Sequence, residues 1–250
     1  MRLLCLNANR TSFVTATVAS ELRAVLGPCA TVIEATADFG PDVIRTHLDQ
    51  AIATHAAVDL AARHAANIDA VLVAASFDPA VEALRGLLGK PVLGISQASI
   101  TFARMIGRRI GYVSAGAIST PLYRDTLSRY DIDRDCADWQ VVETPAAYAQ
   151  GDKTSVHAIV TEAVQRLAEN GADVAVLLGA VYCGLARKLG PSSPIPIVDG
   201  GLSGALMLQA LCQAGPLAAP RLPGRSQMKG VSPELTAFAG SSPDPCVPQT

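Results

Sequence analysis

The stretch Asp69-Ala-Val-Leu-Val-Ala-Ala-Ser-Phe-Asp-Pro79 decides the fold of this chain. Its apolar run is typical of a buried strand, and it ends in a short polar turn at Ser76, Phe77 and Asp78. A helical pattern follows, and a second apolar run then begins at Pro91. The order strand, helix, strand predicts a parallel β-α-β unit.

The same plan returns about a hundred residues further along the chain. There, Ala172-Asp-Val-Ala-Val-Leu-Leu-Gly-Ala180 is followed by a helical stretch and by Pro194-Ile-Pro-Ile-Val-Asp199. This repeat predicts an α/β fold of two pseudo-symmetric halves, each a mostly parallel sheet flanked by helices, with the active-site cleft between them. We expect residues 1–97 with 204–214 to form the first half and residues 98–203 the second.

Composition argues against several classes of function. Of the 250 residues, 50% are hydrophobic and 17% are charged, and the formal net charge is −2. Binding to nucleic acid or to an anionic membrane needs a basic surface, so we expect neither partner. No apolar run approaches the ~18 residues of a membrane span.

The six cysteines form no Cys-x-x-Cys pair, and no histidine lies at metal-ligand spacing from them. We therefore expect no metal site. The N-terminus does not have the pattern of a secretory signal, which predicts reduced thiols and a cytoplasmic location. From Gly215 onward Pro, Gly and Ser dominate, and we expect the tail 215–250 to be disordered and outside the fold.

Ligand sites of parallel sheets lie outside the carboxyl ends of the strands. Four loops at such positions, residues 7–12, 75–79, 114–120 and 179–184, carry hydroxyls, amides and one thiol next to helix N-termini, which suits a small carboxylate. Ordinary capping explains any single hydroxyl about equally well, but four converging loops favour binding. The candidate substrate-binding residues are Asn7, Asn9, Thr11, Ser12, Ala75, Phe77, Ser114, Gly179 and Ala180.

These motifs resemble the aspartate/glutamate/hydantoin racemase superfamily. Leu6-Asn-Ala-Asn-Arg-Thr-Ser12 is similar to its Asn-Pro-Asn-Thr-Ser opening, and Val73-Ala-Ala-Ser-Phe-Asp-Pro79 to Ala-Cys-Phe-Gly-Asp-Pro of its hydantoin racemase branch. Pro91-Val-Leu-Gly-Ile-Ser-Gln-Ala98 and Leu177-Leu-Gly-Ala-Val-Tyr-Cys-Gly-Leu-Ala186 resemble later segments, the second being an active-site loop. The resemblance covers most of residues 1–214.

The resemblance also implies a mechanism. In the family two cysteines, one from each half, flank the α-carbon of the substrate; one thiolate removes the proton and the other thiol returns one on the opposite face. Helix N-termini can tune thiols for this work near neutral pH. The scheme needs no cofactor, and the resemblance further implies a homo-oligomer.

This sequence departs from the family at both cysteines. Matching Asp78-Pro79 places Ala75 at the first cysteine, beside Ser76, and matching Leu178-Gly179 places Gly179 at the second, with Cys183 four residues further on. The candidate catalytic residues are therefore Cys183 and Ser76. An unassisted serine hydroxyl is a poor proton acceptor, and no His or Lys lies near Ser76 in the sequence.

Three hypotheses remain open from the sequence. The first is an isomerase of racemase or epimerase type, with an altered site, that acts on a small amino-acid-like carboxylate or a hydantoin. The second is a decarboxylase-type lyase in which Cys183 alone protonates a planar intermediate. The third is a non-catalytic protein that kept the cleft and binds a carboxylate.

Overall fold

Two four-stranded parallel sheets form the framework of the chain. A computed structural model describes residues 1–145, 152, 154–215 and 228–239. The strands are β1 Arg2–Asn7, β2 Thr31–Thr36, β3 Ala70–Val73, β4 Val92–Gly94, β5 Ile110–Ala115, β6 Cys136–Val142, β7 Val174–Leu178 and β8 Ile197–Asp199. The first sheet has the order β2-β1-β3-β4 and the second β6-β5-β7-β8. This repeated order confirms the prediction of two related α/β halves.

Helices connect consecutive strands, as parallel pairing requires. They are α1 Ser12–Leu26, α2 His47–His64, α3 Val81–Leu88, α4 Ile95–Ala103, α5 Thr120–Leu127, α6 His157–Glu169, α7 Leu185–Leu189, α8 Gly200–Gln213 and α9 Pro233–Ala239. A capping box of Thr46 and Asp49 starts α2, and the Asp199 side chain caps α8. Within the described part of the chain, no helix is both long enough and apolar enough to cross a membrane.

The two sheets share one apolar core. Leu6 and Val73 of the first sheet belong to the same buried cluster as Tyr112 and Leu178 of the second. A second cluster lies between the other face of the first sheet and helices α1 and α8, and a third lies between the second sheet and α6. Separating the halves would expose the shared core at a cost of roughly 25 cal/mol per Å² of apolar surface, so the core holds the two halves together.

Two helices cross from one half to the other. Helix α4 follows the last strand of the first sheet and packs against β7 and β8 of the second. Helix α8 follows the last strand of the second sheet and packs against α1 and β3 of the first. The expected boundaries at 97/98 and 203/204 fall inside these two helices, and the division into 1–97 with 204–214 and 98–203 stays a proposal.

The tail prediction needs a correction. Residues Pro233–Ala239, which we expected to be disordered, form α9, and this helix packs against α2. Leu235 is buried in the shared core, and the Leu235 N–H donates to Ser232 Oγ at 3.1 Å. A single well-placed apolar side chain and a helix-starting serine outweigh the Pro- and Gly-rich composition here. The expectation for 216–227 and 240–250 falls on residues outside the described ranges.

Candidate active site

The loops after β3 and β7, one from each half, meet at the carboxyl ends of the two sheets. The main-chain N–H of Ala180 donates to Ser76 Oγ at 3.4 Å. Ser76 is half-buried and Ala180 is buried. Of the candidate residues, the structure thus brings Ser76 and Ala180 together, although they lie 104 positions apart in the chain.

Tyr123 of α5 fixes the orientation of this pair. Its hydroxyl donates to the Leu178 carbonyl at 3.0 Å and also interacts with the Ser76 hydroxyl. Burial raises the pKa of Tyr123 to about 12, while hydrogen bonds from Ser76 and the Ala115 N–H oppose that rise. The Phe77 ring packs on the Tyr123 ring at 4.5 Å between centroids. Phe77 is buried, so its ring supports the Ser76 loop from the side of the core.

Asp78 holds the Ser76 loop in place through three hydrogen bonds to its carboxylate. Its carboxylate accepts hydrogen bonds from the N–H groups of Ser96 at 3.0 Å and Gln97 at 2.7 Å, and from the Tyr130 hydroxyl at 2.9 Å. Burial raises the pKa of Asp78 to about 6, and the two amide hydrogen bonds together with the charge of Arg129 oppose the rise. The carboxylate thus begins α4 in the way that an N-terminal cap does.

The first loop is held in shape by its own side chains. Asn7 Nδ2 donates to Asn9 Oδ1 at 3.0 Å, to the Thr11 carbonyl at 3.1 Å and to Thr15 Oγ1 at 3.1 Å. The Thr11 hydroxyl donates to the Asp42 carbonyl at 2.7 Å, and Ser12 is exposed at the start of α1. These bonds account for loop geometry, and substrate binding by these residues stays a prediction.

Two further candidates, Ser114 and Gly179, lie in the second half and make contacts within the protein. Ser114 is fully buried, and its hydroxyl accepts a hydrogen bond from Trp139 Nε1 at 2.8 Å. Gly179 adopts a φ of 152°, and a Cβ at this position would lie 3.2 Å from the Tyr182 ring. Ala75 is buried in the shared core directly before Ser76. Their predicted contacts with substrate remain untested by this geometry.

Cys183 lies three residues after Ala180, the residue that contacts Ser76, and belongs to the same buried cluster as Ala180. It is buried in the apolar cluster that contains Cys5 and Val18, under helix α1. Burial raises its pKa well above the ordinary thiol value, the nearby Asp199 carboxylate raises it further, and the Gly201 N–H opposes the rise. A neutral thiol is therefore expected, which is a poor base and a poor nucleophile.

In the second half, Asp199 holds the loop that carries Cys183 in place. Its carboxylate accepts hydrogen bonds from Gly184 N–H at 2.9 Å, Ala186 N–H at 3.0 Å and Gly201 N–H at 3.0 Å. It therefore ties the loop that carries Cys183 to the start of α8. Within the described residues, no group of three or more His, Cys, Asp or Glu side chains could hold a metal ion.

A family model matches this architecture over most of the chain. The model for Asp/Glu/hydantoin racemases matches residues 3–208. The chain belongs to this family. A hydantoin racemase from Rhizobium meliloti is 29% identical over 152 residues, which make up 60% of this chain and 63% of that protein. The match with that relative thus spans less than two thirds of its length.

Solved structures of the family share the fold. An allantoin racemase from Klebsiella pneumoniae superposes with a TM-score of 0.86 at 24% identity, covering 94% of this chain and 98% of that one. An allantoin racemase from Pseudomonas fluorescens gives a TM-score of 0.83 at 25% identity, covering 92% and 100% respectively. The family model confirms the resemblance inferred from the motifs, and these structures show the shared fold.

Sequence reasoning missed most of the residues that support Ser76. The Asp-Pro motif drew attention to Asp78 as an alignment marker and gave no indication that its carboxylate reaches α4. Tyr123 and Tyr130 carry no local signal, because their partners are 55 and 52 positions away in the chain. Only the assembled halves reveal these contacts.

Proposed function

We propose that the chain is an isomerase of racemase or epimerase type that acts on a small amino-acid-like carboxylate or a hydantoin. Proton transfer would need no cofactor, and the catalytic site is altered from the two-cysteine form. The contact between Ser76 Oγ and the Ala180 N–H carries this proposal, because it joins the active loops of both halves. Membership of the racemase family supports the same reaction class.

Ser76 is the group that we assign to proton transfer on one face of the substrate, as a relay whose hydroxyl takes the α-proton while it gives its own proton to solvent water. Its oxygen is held by the Ala180 N–H and by Tyr123, so the hydroxyl has a fixed orientation at the junction of the loops. A serine is a weak base, which favours substrates whose α-proton is already acidic. The ring carbon of a hydantoin, flanked by a carbonyl and a ring nitrogen, meets this demand better than a free amino acid.

The lyase hypothesis depends on Cys183. A neutral thiol could donate a proton, yet the surroundings of Cys183 under α1 argue against contact with a substrate in the cleft. The test is carbon dioxide release from substituted malonates. Release that disappears in Cys183→Ala would favour the lyase, and release that survives would exclude Cys183 as its proton donor.

A non-catalytic protein that binds carboxylates is the second candidate. The specific observation in its favour is that burial raises the pKa of Cys183, so the two loops at this junction present no reactive thiolate. Such a protein would be stabilised against heat by carboxylates or hydantoins, since a ligand that binds only the folded state stabilises it. It would not turn any of them over.

The experiment that separates the two candidates is α-proton exchange in deuterated water. A panel of single enantiomers of hydantoins, allantoin and amino acids is incubated with the protein, and deuterium incorporation and enantiomeric ratio are followed together. Exchange with loss of enantiomeric purity supports the isomerase. Thermal stabilisation by a compound that shows no exchange supports the binding protein.

Location and assembly belong to the same proposal. We propose a cytoplasmic homo-oligomer whose partner is the small-molecule substrate, with neither nucleic acid nor membrane as a partner. The formal net charge of −2 supports the last point, because it offers no excess of basic groups. Light scattering behind size-exclusion chromatography measures the assembly directly.

A further inference from the structure

The Asp78 carboxylate is fully buried and has both oxygens occupied. Oδ1 accepts the Ser96 N–H at 3.0 Å, and Oδ2 accepts the Gln97 N–H at 2.7 Å and the Tyr130 hydroxyl at 2.9 Å. Charge-assisted bonds of this kind are stronger than neutral ones, which favours a fixed geometry. Burying a carboxylate costs desolvation free energy even when three donors bind it, so the position of this side chain has consequences for the Ser76 loop.

These bonds join three separate segments. Asp78 belongs to the loop after β3, Ser96 and Gln97 to the first turn of α4, and Tyr130 to the segment after α5 in the second half. From that last segment, Arg129 also donates to the Phe77 carbonyl at 2.9 Å and to the Asp78 carbonyl at 3.2 Å. The loop is therefore held from its own half and from the opposite half.

The same anchors fix Ser76. The Ser96 hydroxyl donates to the Ser76 carbonyl at 2.6 Å, two positions before Asp78. Asp78 and Ala80 both adopt left-handed backbone conformations, with φ of 48° and 64°. Such conformations are unfavourable for residues other than glycine, so the surrounding contacts must maintain them.

The space around the carboxylate is closed. A Cβ on Gly94 would lie 2.0 Å from Asp78 Cγ, so glycine at position 94 is what admits the side chain. The carboxylate is held against α4 in the space that Gly94 leaves free. Its location and that of Ser76 are therefore set together.

We infer that Asp78 is a positioning residue of the cleft, which holds Ser76 against Ala180 by tying its loop to α4 and to the second half. This inference rests on the proposed role of Ser76 in proton transfer. Asp78 itself acts through Ser76 and does not reach the substrate. Tyr130 and Arg129 together contribute the part of the anchoring that crosses between the halves.

Three variants test this role. Asp78→Asn keeps the shape of the side chain, but its N–H₂ group faces either the Ser96 N–H in place of Oδ1, or the Gln97 N–H and the Tyr130 hydroxyl in place of Oδ2. In both orientations a backbone N–H loses its acceptor. Tyr130→Phe removes one hydrogen bond across the halves and leaves those of Arg129 in place. Asp49→Asn is the matched control, because Asp49 also accepts backbone N–H groups at a helix start, from Arg45 at 3.0 Å and Thr46 at 2.9 Å.

We expect Asp78→Asn to lower kcat of the exchange reaction at least 10-fold while KM changes less than 3-fold. Tyr130→Phe is expected to give a smaller loss in kcat, and Asp49→Asn none. Unchanged kcat in Asp78→Asn would overturn the inference. So would equal losses in Asp78→Asn and Asp49→Asn, because a general effect of helix capping would then be responsible.

Amide hydrogen exchange gives a readout that does not depend on turnover. Asp78→Asn is expected to speed exchange in peptides that cover 75–80 and 95–97 at least 10-fold, with the α2 peptide unchanged. If the wild-type protein turns over no compound, the proposed function fails while this measurement still decides the anchoring. Unaltered protection of both peptides would overturn the anchoring role whatever the activity.

Discussion

Ser76 Oγ accepts a hydrogen bond from the Ala180 N–H at 3.4 Å, and this bond links the two halves where their active loops meet. A racemase must approach one carbon from opposite faces, so the facing loops of the two halves are where its reactive groups belong. In this chain the hydroxyl of one loop accepts the backbone N–H of the other. The site that we propose therefore has the Ser76 hydroxyl, a weak base, as its candidate for proton transfer.

Removing the Ser76 hydroxyl is the first test of this assignment. Ser76→Ala is expected to slow α-proton exchange by roughly 10²-fold, the lower end of what a positioned acid/base group contributes. Ser76→Cys places a more acidic group at the same position and is expected to keep or raise the rate. The initial rate of deuterium incorporation into the substrate identified in the panel is the measurement.

Ser128→Ala is the control for these variants. The Ser128 hydroxyl is exposed and donates to the Asp125 carbonyl at 2.8 Å, a bond that is not among those that hold the Ser76 loop. It should leave the exchange rate unchanged. Wild-type rates in Ser76→Ala would exclude Ser76 from the reaction.

The thiol of Cys183 should be chemically inert. Burial and the Asp199 carboxylate raise its pKa well above the ordinary value, whereas Cys29 is exposed. Since only thiolates react, we expect iodoacetamide at pH 8 to modify Cys29 at least 10²-fold faster than Cys183 in the folded protein. Peptide mass spectrometry after timed quenching measures both sites, with urea-unfolded protein as the control. Comparable rates would show that Cys183 is accessible as a thiolate.

The fold could be predicted from the sequence because its signals are local. Short apolar runs such as Ala70–Val73 and Val174–Leu178 are bounded by polar turns and separated by helical periodicity, and those patterns need no knowledge of distant residues. The position of Ser76 at the end of a strand followed from the same reasoning. The helix Pro233–Ala239 could not be predicted in this way, because the Pro-, Gly- and Ser-rich composition of the tail indicates disorder.

The supporting part of the site could not be predicted, because it depends on contacts between distant segments. The side chains of Tyr123 and Tyr130 meet the Ser76 loop only after α5 has packed across the cleft. The environment of Cys183 likewise depends on α1, which lies about 160 positions earlier in the chain. Local periodicity contains no information about such packing.

The ion pair between Glu21 and Arg187 should stabilise the contact between the halves. Arg187 of α7 donates to both carboxylate oxygens of Glu21 in α1, each at 2.7 Å. Glu21 is 4% exposed and Arg187 is 47% exposed at the side chain. Breaking a buried pair costs roughly 3–5 kcal/mol, and the exposure of Arg187 reduces this, so we expect Arg187→Ala to lower the free energy of unfolding by about 2 kcal/mol.

The comparison is Arg134→Ala. Arg134 pairs with Asp131 at 3.7 Å, and both side chains are largely exposed. This substitution removes the same charge and is expected to cost less than about 0.5 kcal/mol. Urea denaturation of both variants gives the two values. Equal losses would show that the Glu21 pair adds nothing beyond a surface charge.

The free energy of unfolding should change with pH because of the titration of Asp78. Its pKa is about 6 in the folded protein against an ordinary value of 3.8, because burial disfavours the charged form. A carboxyl group with a raised pKa makes its full contribution to stability below its unfolded value and loses that contribution as pH rises through the folded value. The wild-type protein should therefore lose stability relative to Asp78→Asn between about pH 4 and pH 7, by roughly 3 kcal/mol.

Urea denaturation of the wild-type protein and Asp78→Asn at pH 4, 5, 6 and 7 measures this difference. Other carboxylates whose pKa values are lowered, such as those of Asp49 and Asp69, give the opposite trend in both proteins and cancel in the comparison. The four-point curve for the difference should have its midpoint between the two pKa values. A difference in unfolding free energy that stays constant over this range would mean that Asp78 has an ordinary pKa, and that the desolvation of its carboxylate is compensated by its three donors.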